Sequence, residues 1–312
     1  MNRLAFTASV MVLGLAGPVM AGSNTSSVSQ TGNGSSATID QVVTTAGTNN
    51  DSSVTQNGND HKAEITQKGA GSTNKSVVQQ NGMLQESYVK QIGDNNSNDS
   101  FIKQKSDHNR AYVTQYGTSN VNKSTIDTQD GHENNVYLEQ TGINSENTSF
   151  AQTIGNNNII DVKQFGDGNV NKSDVTIGVD FNKITVYQYG DNNKNTSVAM
   201  TSTGEKNDLH INQFGSNMIN DALTDVAGSD NIVNVNQSGS NGKNKAKTTI
   251  AGADDNLVNI TQGGLGNDNT ADTSISGGLN NTVKVDQGGT SNVNLSTVNT
   301  VGSNNNVVVS QF

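Results

Sequence analysis

One polar residue sets the rhythm of this chain. Gln recurs at Gln41, Gln67, Gln91, Gln115, Gln140, Gln164, Gln188, Gln213, Gln237, Gln262, Gln287 and Gln311, with gaps of 24 to 26 residues. Two positions before each stands a large aliphatic, from Ile39, Ile65 and Val89 through to Val285 and Val309. Four positions before stands Ala, Val, Ile or Leu in every copy but one, where Ser87 takes the place. The intervening residues, such as Asp161 and Lys163, are mostly polar. Alternation with a period of two predicts a β-strand that carries the aliphatics and the Gln on one face.

Two positions after the Gln, from Gln67 through Gln287, there is always Gly, as at Gly69, Gly93, Gly117 and Gly142. Seven positions after, there is always Asn: Asn74, Asn98, Asn122, Asn147, Asn171, Asn195, Asn220, Asn244, Asn269 and Asn294. Gly and Asn tolerate left-handed backbone, so each Gly-to-Asn stretch is predicted to be a turn. Ser or Ala two residues after the Asn opens a second strand. A further Gly closes that strand in many repeats, as at Gly82, Gly131 and Gly155, and Asn follows again at Asn109, Asn134, Asn158 and on to Asn305. Each period therefore predicts strand, turn, strand, turn.

A two-stranded coil cannot bury its apolar face alone, but a stack of coils can. The expected fold is all-β: a β-solenoid of about twelve stacked two-stranded coils of 24–25 residues, with a cross-β architecture. In-register stacking puts Gln on Gln and Asn on Asn. The twelve Gln and ten Asn are thus predicted to form hydrogen-bonded ladders that tolerate burial. At the strand spacing of ~4.8 Å, twelve coils extend for about 58 Å.

Composition explains why repetition is needed. Only 30% of the 312 residues are hydrophobic and 4% aromatic, there is no Trp, and 49 residues are Asn. These averages describe a disordered chain, and a length near 300 would suggest about two globular domains, which so few large apolar side chains could not fill. The net charge of −10 disfavours nucleic acid and anionic membrane as partners. No Cys is present, so disulfides are not used.

Residues 1–21 have one positive charge at Arg3, an apolar run from Leu4 to Leu15, a Gly17-Pro18 breaker and Val19-Met20-Ala21. That pattern predicts a secretory signal peptide cut after Ala21. Residues 22–29 are then a short leader and residues 30–312 the repeat solenoid, exported and without a transmembrane segment. The first repeat starts close to the expected cleavage site, and the last strand, ending in Gln311, is followed only by Phe312. Two uncapped strand edges on a Pro-free stack are expected to template further copies.

Residues capable of chemistry are scattered. His61 and His108 fall in predicted turns, His132 beside one and His210 on an outward strand position, so all four are expected at the solvated surface, with no metal-ligand spacing. Residues 263–268 fit the first half of a calcium-binding nonapeptide, but Thr270 replaces its aliphatic and no second copy follows. Carboxylates are spread singly, with no insertion to build the groove of a polysaccharide-cleaving β-helix. No Thr array suits an ice-binding face. Neither catalytic residues nor cofactors are expected.

Gln104-Lys105-Ser106-Asp107-His108-Asn109-Arg110-Ala111-Tyr112-Val113-Thr114-Gln115 resembles the curlin repeat, Gln-x-Gly-x-x-Asn-x-Ala-x-x-x-Gln, with Ser106 for Gly. Gln30 to Gln41, Gln56 to Gln67 and Gln129 to Gln140 share its spacing. In later coils the first Gln is replaced near Ile177, Thr201, Val226, Ile250, Ile275 and Thr300. The resemblance implies a structural subunit of curli, the amyloid fibres of Gram-negative surfaces that serve adhesion and biofilm matrix. It also implies partners: copies of itself or other curlin-family subunits, and outer-membrane secretion and assembly factors. A non-polymerising secreted adhesin, or an accessory or nucleator protein of such a fibre, is the alternative.

Overall fold

The computed structural model describes residues 22–43 and 46–312. The expected signal peptide lies outside the described residues. The rest is all-β, with 24 strands and no helix among the described residues.

The strands alternate between two parallel sheets of twelve. One sheet holds β1 (Ser23–Thr31), β3 (Asn49–Asn59), β5 (Thr73–Met83), β7 (Ser97–Lys105), β9 (Val121–Thr128) and β11 (Glu146–Thr153). It continues with β13 (Val170–Ile177), β15 (Lys194–Thr203), β17 (Ile219–Ala227), β19 (Lys243–Ala251), β21 (Asp268–Ser276) and β23 (Val293–Val301). The other holds β2 (Ser36–Val43), β4 (Lys62–Gly69), β6 (Glu86–Asp94), β8 (Arg110–Thr118), β10 (Asn135–Ile143) and β12 (Ile159–Asp167). It is completed by β14 (Lys183–Asp191), β16 (Asp208–Ser216), β18 (Ile232–Gln237), β20 (Leu257–Gln262), β22 (Thr282–Gln287) and β24 (Asn306–Gln311). We call these the odd and the even sheet. Each odd strand and the even strand after it form one coil, and twelve coils stack in sequence order.

Parallel pairing follows from the repeat, because each coil returns the chain to its starting direction one strand spacing further on. Register follows from side-chain identity: Gln140 lies between Gln115 and Gln164, and Asn122 between Asn98 and Asn147. A slip of one residue would turn every aliphatic outward. The inward aliphatics of both sheets, including Ile65, Ile102, Ile126, Leu138, Ile160, Ile184 and Ile260, form one narrow buried core along the stack.

Two sequence expectations are placed differently. The segment 22–29 falls mostly within β1, which pairs in register with β3. The Asn seven positions after each Gln is not in the turn but is the second, inward-facing residue of the next odd strand, as Asn98 is in β7. Positive φ falls at most of the glycines two after the Gln, such as Gly93 and Gly117, and again four after it, at Gly71, Asn95, Ser119, Asn144, Gly168 and Asn192. The chain reverses early, and the Asn is thereby free to stack inside.

Candidate functional site

The most regular side-chain array in the molecule is the Gln column of the even sheet. Each Nε2 donates to the Oε1 of the Gln one coil further on, from Gln41 to Gln67 at 2.9 Å through to Gln287 to Gln311 at 2.8 Å, without interruption. The second N–H of each Gln crosses the core to a backbone carbonyl of the odd sheet. Gln41 reaches Thr25 O, Gln164 reaches Thr148 O and Gln311 reaches Leu295 O. Core Ser hydroxyls add donors: Ser124 and Ser149 donate to Gln140 and Gln164 at 2.9 Å. One amide therefore ties its coil both to the next coil and to the facing sheet, which is why a buried polar column is tolerated.

The Asn column of the odd sheet is as continuous. Asn50 Nδ2 donates to Asn24 Oδ1 at 2.9 Å, and the pattern repeats through Asn74, Asn98, Asn122, Asn147, Asn171, Asn195, Asn220, Asn244, Asn269 and Asn294. Its sense is opposite. Gln amides donate toward the C-terminal end of the stack, and Asn amides toward the N-terminal end. The dipoles of the two ladders oppose one another.

Two further columns escaped the sequence reading as ladders. A third runs through the turn between odd and even strands, where Asn134 donates to Asn109 at 3.1 Å and, after Asn158 and Asn182 turn their amides to Ile154 O and Asp180 O, Asn207, Asn231, Asn256, Asn281 and Asn305 donate to the Asn one coil before at 2.9–3.0 Å. In the other turn, side chains cap the carbonyl of a glycine in the next coil, as Asn96 does for Gly117 and Ser145 for Gly166, both at 2.7 Å. The glycine is demanded by stacking: a Cβ on Gly93, whose φ is 137°, would lie 1.8 Å from Gly117 O.

The second Gln column is short. Gln56 donates to Gln80 at 2.8 Å and Gln80 to Gln104 at 3.0 Å, but the next inward position is Thr128. Gln129, which carries the repeat spacing, points elsewhere and donates to Asp127 Oδ2 at 2.9 Å. Beyond it the column holds Thr153, Ile177, Thr201, Val226, Ile250, Ile275 and Thr300.

Of the four His, His61 departs from the expected solvated setting. It is 1% exposed because it occupies the inward turn position that Asn109 and Asn134 hold in later coils. Burial lowers its pKa below the usual 6.5, opposed by a hydrogen bond to Asn57 O and by Asp60 and Asp107. His108 and His132 are exposed, and His210 Nε2 lies 2.9 Å from Asp208 Oδ1. Residues 263–268 are bound into the turn, where Asn267 donates to Gly263 O and Gly289 O. Among the described residues no three His, Asp or Glu are grouped to hold a metal ion, and no helix is long and apolar enough to cross a membrane.

The outer faces of the two sheets differ. All six Tyr project from the even sheet, between β6 and β14. Tyr88, Tyr112 and Tyr137 share one column as a parallel stack, with centroids 4.9 and 4.8 Å apart and planes within 3° and 8°. Lys62 closes the stack at one end, donating to the Tyr88 oxygen at 2.9 Å and lying 4.8 Å from its ring centroid. Partial burial, with Glu86 and Tyr137 nearby, raises the Tyr112 pKa.

These features define a parallel two-sheet β-solenoid with polar ladders in its core. Residues 46–69, which span one coil built from β3 and β4, match the family model of the curlin associated repeat. That match, over one coil, supports a curlin repeat assignment. No curated protein matches the chain.

Proposed function

We propose that the protein is a structural subunit of an extracellular curli-like fibre, joined head to tail and serving adhesion and biofilm matrix. Outer-membrane secretion and assembly factors are its expected partners on the route out of the cell. One observation carries this reading. Within the described residues, Oε1 of Gln41 is buried and has no donor. In every later coil that oxygen accepts from the preceding Gln. At the other end of the stack Gln311 Nε2 donates only to Leu295 O, which leaves one N–H in line with the ladder.

The Asn ladder fits the same joint from the opposite direction. Among the described residues no side chain donates to Asn294 Oδ1, and Asn24 keeps one amide N–H beside the one it donates to Gln41 O. Setting β23 and β24 of one copy against β1 and β2 of the next lets Gln311 donate to Gln41 and Asn24 donate to Asn294. Head-to-head or tail-to-tail joints would oppose donor to donor or acceptor to acceptor. The joint is heterologous and does not close, so it extends into a filament. Unpaired edge strands add a row of backbone donors and acceptors. The charged residues Lys90, Glu139 and Lys163 on the even face limit sideways association.

Residues 22–312 carrying Gln311→Glu and Val309→Asp test the reading by elongation kinetics under thioflavin fluorescence. Elongation is expected to slow several-fold while the variant stays soluble and β-rich. Unchanged kinetics would exclude templating at this edge, and a wild-type chain that stays monomeric would favour a secreted adhesin or an accessory protein of the fibre.

A further inference from the structure

The Tyr stack has no counterpart on the odd sheet and plays no part in the joint between copies. Its rings face one another along the axis, so their edges and hydroxyls, rather than their faces, meet solvent. This arrangement is poor for stacking a sugar ring, but it holds phenols at a fixed short separation on consecutive coils. The chain has neither Cys nor Trp, which makes its phenols the side chains most open to one-electron oxidation and leaves no disulfide to staple the coils. We infer that Tyr112 and Tyr137 are a site of oxidative dityrosine cross-linking, in which a peroxide used by a haem peroxidase joins β8 to β10 covalently within one chain.

The chemistry balances. Each phenol gives up one electron and its hydroxyl proton to become a phenoxyl radical. The two radicals join through a new carbon–carbon bond between ortho carbons, and the ortho hydrogens move to the oxygens as both rings regain aromaticity. The two electrons and two protons released reduce one peroxide molecule to two waters. Parallel rings 4.8 Å apart and within 8° place matching carbons opposite one another, and Tyr137, 39% exposed, has room to swing onto its neighbour.

The surroundings select the pair. Tyr88 stacks on Tyr112 nearly as closely, but the Lys62 ammonium both donates to its oxygen and lies over its ring. A positive charge there opposes removal of an electron, which favours Tyr112 with Tyr137 over Tyr88 with Tyr112. The other phenols lack a Tyr neighbour in their columns. Tyr116 lies between Ile92 and Thr141, Tyr187 between Lys163 and Asn212, and Tyr189 stacks on Phe214 at 5.1 Å.

The full chain, treated with hydrogen peroxide and a haem peroxidase over a range of protein concentrations, tests the assignment through dityrosine fluorescence and mass spectrometry of linked peptides. The expected product joins the Tyr112 and Tyr137 peptides with loss of two hydrogens, in a yield per chain that does not change with concentration. Tyr112→Phe keeps the middle ring but removes its phenol hydroxyl and is expected to abolish nearly all of the signal, whereas Tyr116→Phe and Tyr187→Phe retain it. Tyr137→Phe leaves only the Tyr88–Tyr112 link, in several-fold lower yield. The assignment is overturned by a yield that rises with concentration, by links that survive Tyr112→Phe, or by the same pattern of links from urea-unfolded chain.

Discussion

The amide of Gln188 donates to Gln213 Oε1 at 2.8 Å, and its second N–H donates to the carbonyl of Lys172 in the facing sheet at 2.9 Å. It also accepts from Gln164 at 2.8 Å. Three bonds at one fully buried side chain join two neighbouring coils and the opposite sheet. Replacing it with Leu fills the volume but leaves a donor on Gln164 and the acceptor on Gln213 unpaired. Gln188→Leu is expected to destabilise by about 2–6 kcal/mol, from two buried groups at ~1–3 kcal/mol each, read from the midpoint of denaturant unfolding. A loss below that range would mean that the ladder is not a principal tie between coils.

The core also holds polar atoms that nothing satisfies. Thr224, Thr248 and Thr273 occupy successive coils of one column, fully buried, and their hydroxyls have no partner. Val298 takes the next place in that column and Val175 an earlier one, so Val fits there. Thr248→Val is expected to stabilise by about 1 kcal/mol, because it removes a desolvated hydroxyl at nearly constant volume. A lower melting temperature would show that the hydroxyl is paired in solution.

The glycine column is held by stacking as well as by backbone conformation. Gly93→Ala adds a methyl group 1.8 Å from Gly117 O at a φ of 137°, and the coils must separate locally to admit it. The expected cost is about 3 kcal/mol or more, with loss of amide-exchange protection centred on β6 and β8. Protection lost uniformly along the stack would argue against a local clash.

Burial gives His61 a pH signature. Its folded pKa lies below the unfolded value near 6.5, so the unfolded chain binds a proton first as pH falls. Stability is therefore complete above the unfolded value, declines as pH drops below it, and levels off beneath the folded value. His61→Asn, which restores the residue found at this turn in later coils, is expected to flatten the profile between pH 7 and 5. An unchanged profile would place the titration elsewhere.

Much of this was legible because period-two alternation and a 24- to 26-residue spacing leave one way to bury Ile65, Leu138 and their equivalents. What escaped depended on the exact place of each reversal. Asn98 reads as a turn residue by type, yet Asn95 takes the left-handed position and Asn98 stacks inside β7. Gln129 has the repeat spacing, yet Thr128 takes the inward position. His61 reads as a polar turn residue until its column is aligned with Asn109 and Asn134. The Tyr stack did leave a signal, since Tyr88, Tyr112 and Tyr137 each stand three residues before a ladder Gln. It is visible only once outward positions are compared coil by coil.

The proposed head-to-tail joint is tested most directly by helical reconstruction, from electron cryo-microscopy, of fibres grown from residues 22–312. If Gln311 of one copy continues the ladder into Gln41 of the next, strands lie ~4.8 Å apart along the axis. Each chain then advances the fibre by about 58 Å, twelve strand spacings. Fibres in which each chain advances by a single strand spacing, or a chain that stays monomeric at the same concentration, would contradict the account.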